Sequence, residues 1–153
     1  MARISGHIHI ERPPEVVFDC VADERNEPRY NPKMTAVSLV SEPPIGQGSR
    51  FTAMLKSGAR TFTMTTEFTD FERPTRLGSV STVGAMRTVG AVTFEPQGAG
   101  TLMSWAWEVE LRGVMKLATP VVAWMGRRQE RGIWTQLKTI LEATDPTTAA
   151  TTE

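Results

Sequence analysis

Thr101-Leu102-Met103-Ser104-Trp105-Ala106-Trp107-Glu108-Val109-Glu110-Leu111 alternates along its whole length. Met103, Trp105, Trp107, Val109 and Leu111 share one parity, and Leu102, Ser104, Ala106, Glu108 and Glu110 the other. Successive side chains of a strand point to opposite faces, so this pattern predicts a strand with one buried face. Two tryptophans on that face require a broad apolar partner. The following segment supplies one. From Gly113 to Ala143 the spacing predicts a long helix, with Ala118, Val122, Met125, Gln129, Ile133, Leu137 and Ile140 on one stripe. Pro120 either kinks that helix or marks the start of its regular part.

Working outward, Ile4, Ile8 and Ile10 alternate with polar residues in a first strand that Pro13-Pro14 ends. Glu15 to Asp23 reads as a short helix with Val17, Phe18 and Val21 inward, and residues 23–32 as a second short helical turn bracketed by prolines. Strands follow at Met34–Ser41, Arg50–Lys56, Ala59–Phe71, Thr75–Val83 and Met86–Pro96. The connections between them are short, which implies antiparallel hairpins, and the first and last strands bring the total to seven. The expected architecture is α+β: a seven-stranded antiparallel sheet wrapped around a long C-terminal helix, with two short helices after the first strand. Residues 1–143 form one domain on this reading, and 144–153, small and polar, a disordered tail.

Seventeen basic and seventeen acidic residues cancel. A neutral chain argues against nucleic acid as the main partner, because phosphate binding needs a concentrated positive face. No apolar run approaches the ~20 residues of a membrane span, so no integral membrane association is expected. Met1-Ala2-Arg3-Ile4 enters a strand pattern without an export signal, and the single Cys20 suits a reducing compartment, so a cytoplasmic protein is expected.

The order strand, two short helices, six-strand meander and long helix resembles the START-like, or SRPBCC, superfamily, in particular its polyketide cyclase/dehydrase-like branch. The residues that carry the likeness are Glu11-Arg12-Pro13-Pro14-Glu15-Val16-Val17-Phe18, Asn26-Glu27-Pro28-Arg29-Tyr30-Asn31-Pro32, Gly46-Gln47-Gly48, Phe94-Glu95-Pro96 with Gly100-Thr101, and Leu137-Lys138-Thr139-Ile140-Leu141-Glu142. The resemblance implies a helix-grip fold of the START-like and Bet v 1-like kind, with a cavity between sheet and helix. Members bind lipids, sterols, plant hormones or aromatic polyketides, and a few catalyse cyclisation or dehydration. Function varies widely on this scaffold, so membership alone assigns none.

Strand parity gives the candidate lining. Phe62, Met64 and Thr66 face inward on the fourth strand, with a bulge expected between Phe68 and Phe71. Ser81 comes from the fifth strand, Met86, Thr88, Val92 and Phe94 from the sixth, and Met103, Trp105 and Trp107 from the seventh. Val122, Met125 and Gln129 would come from the helix, and Tyr30 stands where the short helices should border the mouth. These residues wall either a ligand pocket or a filled core. Gln129 is a polar hook for a ligand or an amide paired elsewhere. Gly126 and Gly132 thin the helix beside a cavity or allow close packing on the sheet.

No catalytic residue, cofactor or metal site is expected. The inward positions offer Thr66, Ser79, Ser81, Thr88 and Gln129 but no Asp, Glu, His or Lys, while Glu67, Arg87, Glu108 and Glu110 fall on outward parity. His7 and His9 are expected to make ordinary cross-strand contacts near Glu108 and Glu110. Arg127, Arg128 and Arg131, with Glu130, read as a solvated charged face. The leading reading is a binding or carrier protein for a small to medium hydrophobic molecule: a lipid, a sterol or an aromatic, polyketide-like compound. A cyclase that orients its substrate in the same cavity, gaining support if a bulge turned Glu67 or Arg87 inward, is the alternative. An interaction module using exposed sheet edges is the third, and the oligomeric state, monomer or homodimer, is left open.

Overall fold

The computed structural model describes residues 2–143; the expected tail, 144–153, lies outside them. Strand β1 (Ala2–Ile10) leads to helix α1 (Pro14–Ala22) and a 3-10 turn (Glu24–Arg29). Strands β2 (Met34–Leu39), β3 (Arg50–Ser57), β4 (Arg60–Glu72), β5 (Arg76–Val83), β6 (Met86–Gln97) and β7 (Gly100–Leu111) then run consecutively. A second 3-10 turn (Gly113–Ala118) precedes helix α2 (Thr119–Ala143). All seven strands pair antiparallel in the order β1-β7-β6-β5-β4-β3-β2, as the hairpin reading predicts.

Local chemistry explains the joints. Pro14 occupies the first turn of α1, where its missing N–H costs nothing. The Asp23 carboxylate accepts the Arg25 backbone N–H at 3.1 Å and so opens the 3-10 turn. The register of β4 on β5 shifts between Phe68 and Asp70, the interval in which a bulge is expected. Glycine is required at position 90 of β6. A Cβ there would stand 1.9 Å from the Ala106 carbonyl oxygen on β7.

The inward parity of β7 holds: Met103, Trp105, Val109 and Leu111 are buried, and Trp107 is half-buried. One part of the interior is solid. Phe18 of α1 packs edge-on against Phe94 (ring centroids 5.3 Å apart) and Phe71 (5.2 Å), and Met103 has no exposed surface.

Three expectations are corrected. The C-terminal segment is a 3-10 turn followed by a helix, with Pro120 in the first turn of α2, so Ala118 precedes the stripe. Within α2 the buried positions are Ala123, Ile133, Trp134, Leu137 and Leu141, while Met125 and Gln129 are exposed and Val122 and Ile140 are half-buried. The cause is Gly126. It lies so close to Ile4 of β1 that a Cβ would stand 2.5 Å from the Ile4 Cδ1. Seating Ala123 and Gly126 on β1 turns Met125 outward, leaves the exposed Gln129 at the boundary between groove and cavity, and brings Glu130 in. The histidines also differ from expectation. The β1–β7 register sets His7 opposite Ser104 and His9 opposite Leu102, and Glu108 opposite Arg3. His9 instead meets Gln97 and Glu11, each at 2.6 Å.

Candidate functional site

A cavity of about 200 Å³ remains between the concave face of the sheet, α2 and the Glu24–Arg29 turn. The sheet contributes a mainly apolar wall from β2 to β7: Met34, Leu55, Met64, Phe68, Leu77, Val83, Met86, Val92 and Trp107, interrupted by Ser79, Ser81 and Thr88. Helix α2 supplies Gln129, Glu130, Ile133 and Trp134, and the turn with its exit supplies Glu24, Glu27, Tyr30 and Asn31.

Of the residues singled out in the sequence, Tyr30, Met64, Ser81, Met86, Thr88, Val92, Trp107 and Gln129 line this space. The others stand elsewhere. Phe62, on the correct parity, is 39% exposed near the start of β4 and lines neither cavity nor groove. Thr66 is buried behind the wall, sharing a 2.9 Å hydrogen bond with Ser81. Phe94 and Met103 belong to the solid core around Phe18. Trp105 lies over Gly6, where a Cβ would stand 2.6 Å from its ring, and its other side meets Trp134 with centroids 5.9 Å apart. Met125 faces an outer groove, and Val122 lines neither space.

That groove, of about 670 Å³, runs between α2 and the stretch Pro28–Lys33. Tyr30, Asn31, Gln129 and Ile133 line both groove and cavity, so they form the partition between outside and inside. Tyr30 is almost wholly buried and its ring meets that of Trp134 at 6.1 Å between centroids.

The expectation that no acidic group faces inward is wrong: three carboxyls line the cavity. Glu130, read as part of a solvated patch, accepts the indole N–H of Trp134 at 2.8 Å and that of Trp107 at 3.1 Å, both on Oε2. Burial raises its pKa above the ordinary range, and the two indoles oppose that rise. Glu27 accepts the Asn31 side-chain N–H at 3.3 Å. Its carboxyl is pushed up to about 7, first by burial, against the Asn31 bond and reinforced by the Glu130 charge. Glu24 is only 9% exposed, and its Oε2 is enclosed without a hydrogen-bond partner among the described residues. Burial, then the charges of Glu27 and Asp23, push it up to about 8. Burial and the same carboxyls raise the Tyr30 phenol well above its usual range, so it stays neutral.

A signal for Glu130 was present in the sequence: it precedes Ile133 by three, Trp134 by four and Leu137 by seven. Glu24 and Glu27, three apart, give a weaker one. Glu67 remains exposed, and Arg87 pairs with Glu110 at 3.6 Å on the outer face, so the bulge brings neither inward. Among the described residues no group of His, Cys, Asp and Glu is placed to hold a metal.

A seven-stranded sheet closed over one long helix, hollow beside a turn, defines the helix-grip class. The sequence matches the family model described as polyketide cyclase / dehydrase and lipid transport over residues 1–142, and the chain belongs to that family. The fold is similar to a START superfamily protein from Mycobacterium smegmatis, with a TM-score of 0.80 at 14% identity, covering 94% of this chain and 99% of that one. It is also similar to the Zhui aromatase/cyclase from Streptomyces sp. R1128 (TM-score 0.78, 14% identity, 92% and 93% covered). A protein from Thermus thermophilus aligns with a TM-score of 0.75 at 20% identity, over 94% and 99% of the two chains. At such identities the likeness establishes the fold. No curated protein matches the sequence. Among the described residues no helix is long and apolar enough to cross a membrane.

Proposed function

We propose that this protein binds a small, largely apolar molecule in the cavity between sheet and α2. The observation that carries this reading is the hollow itself. Protein interiors pack densely, and a space of about 200 Å³ walled by Met64, Leu77, Met86, Val92, Trp107 and Ile133 forgoes many contacts that a ligand would restore. An apolar cavity of ~150 Å³ suffices for benzene. The interior therefore accepts one or two rings or a short branched chain. A sterol or long lipid would have to extend past Tyr30 and Gln129 into the outer groove. Native mass spectrometry of gently purified protein, followed by denaturation and identification of the released compound, tests the reading. A stoichiometric aromatic or short-chain lipid is expected. Protein that is apo and gains no thermal stability from naphthalene, indole or short-chain alcohols contradicts it.

A second reading, a cyclase or dehydrase, is favoured by Glu24 and Glu27. Two neighbouring acids whose pKa values are raised towards neutrality can give and take protons at a bound substrate. Turnover of an aromatic polyketide precursor that is lost in both Glu24→Gln and Glu27→Gln would support it. Unchanged turnover in both would oppose it.

A further inference from the structure

The acidity of the cavity restricts what can occupy it, given the reading of that space as a ligand site. We propose that Glu24, Glu27 and Glu130 make it a receptor for a protonated amine carried on a compact apolar body, and a poor site for carboxylic acids. Among the described residues that line the cavity there is no Lys, Arg or His to balance three carboxyls. The nearby cations are committed elsewhere or face out. Arg25 is held by Asp23 in two side-chain hydrogen bonds of 2.8 Å, and Arg29 is exposed and lines the outer groove rather than the cavity.

Glu24 supplies the second observation. It lines the cavity, is nine-tenths buried, and its Oε2 has no hydrogen-bond partner among the described residues. Buried acceptors are nearly always satisfied, so an enclosed carboxyl oxygen without a donor, on a residue that lines the hollow, marks a place where a donor is missing. An ammonium group carries three donors and a charge of the required sign. The walls suit it as well. Trp107, Trp134 and Tyr30 surround the same space, and aromatic faces attract organic cations. A metal ion is the weaker fit, because the carboxyls do not converge as metal ligands do.

The titratable groups that face this cluster are Asp23 and Tyr30 on the turn and its exit, Cys20 on α1, and Glu130 on α2. None brings positive charge. In the empty cavity burial therefore keeps Glu24, pushed up to about 8, largely protonated at neutral pH and brings Glu27, at about 7, near its midpoint, and an entering ammonium favours the ionised form of both. Amine binding releases protons and strengthens as pH rises through about 7 and about 8, where Glu27 and Glu24 titrate.

Three probes of one shape test this on the full chain by isothermal titration calorimetry: 2-naphthylmethylamine, 2-naphthalenemethanol and 2-naphthoate. The amine is expected to bind at least about tenfold more tightly than the alcohol, and the naphthoate not to saturate. Buffers of different ionisation enthalpy should report proton release with the amine alone. Glu24→Gln and Glu130→Gln, each checked for a cooperative melt, should lower amine affinity by about tenfold and alcohol affinity by distinctly less, so that the amine's advantage over the alcohol shrinks. Alcohol binding equal to or tighter than amine binding, or preferred binding of the naphthoate, overturns the cation proposal and leaves the cavity a ligand site. Absence of binding by all three overturns the ligand-site reading itself. The wild-type comparison decides the matter even if a variant fails to fold.

Discussion

The indole N–H of Trp134 reaches back one turn of α2 to the Glu130 carboxylate, at 2.8 Å. Trp107, across the cavity on β7, donates to the same oxygen at 3.1 Å. One acid thereby ties the helix to the sheet at the edge of the hollow, and two neutral donors offset part of the cost of enclosing its charge. Trp134→Phe removes one donor and keeps an aromatic ring in the same place. It should destabilise the fold by about 1.5–3 kcal/mol while Glu130 is ionised and by less once it is protonated. Urea denaturation at high and low pH checks this. A pH-independent cost would mean that the tryptophan acts through packing alone.

The raised carboxyls fix the sign of the pH dependence of stability. Glu24 moves from an ordinary 4.5 to about 8, so between those values the folded state holds a proton that the unfolded chain has released. Its stabilising contribution is complete below about pH 4.5 and is lost as pH rises through about 8. Glu24→Gln should therefore flatten this decline and leave the apo protein more stable than wild type at pH 8, by on the order of a few kcal/mol. Thermal melts from pH 5 to 9 read the effect. A Glu24→Gln protein whose stability still falls in parallel with wild type would assign the titration to other groups.

Two glycines of α2 should respond oppositely to alanine. Nothing lies within 4 Å of a Cβ at Gly132, which lines the outer groove, so Gly132→Ala should stabilise the helix by up to about 1 kcal/mol. At Gly126 the new methyl meets Ile4, and the crowding should cancel that gain or cost about 1–3 kcal/mol. Denaturant titration of the two variants is sufficient. Equal stabilisation by both would show that α2 does not press on β1 at Ile4.

The fold was legible because its signals are local. Period-two alternation in β7, turn glycines between strands and the long apolar helix each state their own structure within a short stretch of chain. Parity also places Met64, Ser81, Met86, Thr88, Val92 and Trp107 on the wall. Parity cannot say how far along a strand the cavity extends, so Phe62 falls outside it and Phe94 lies beneath Phe18. The acids were hidden for another reason. Adjacent residues on a helix are separated by ~100°, so whether Glu130 turns in beside Gln129 depends on how α2 is rotated. That rotation is set by Gly126 on Ile4, a contact between residues far apart in sequence. Glu24 and Glu27 depend likewise on a 3-10 turn whose direction Asp23 sets through its cap.

The space between Trp107 and Ile133 is expected to take an apolar ligand, and bromine anomalous diffraction from crystals soaked in 4-bromobenzyl alcohol reads this without an assay. A single strong bromine peak inside the cavity, enclosed by residues such as Leu77, Met86, Trp107 and Ile133, is the expected result. Well-diffracting crystals with side chains closed over an empty interior, or with bromine only in the outer groove beside Trp124, would contradict it.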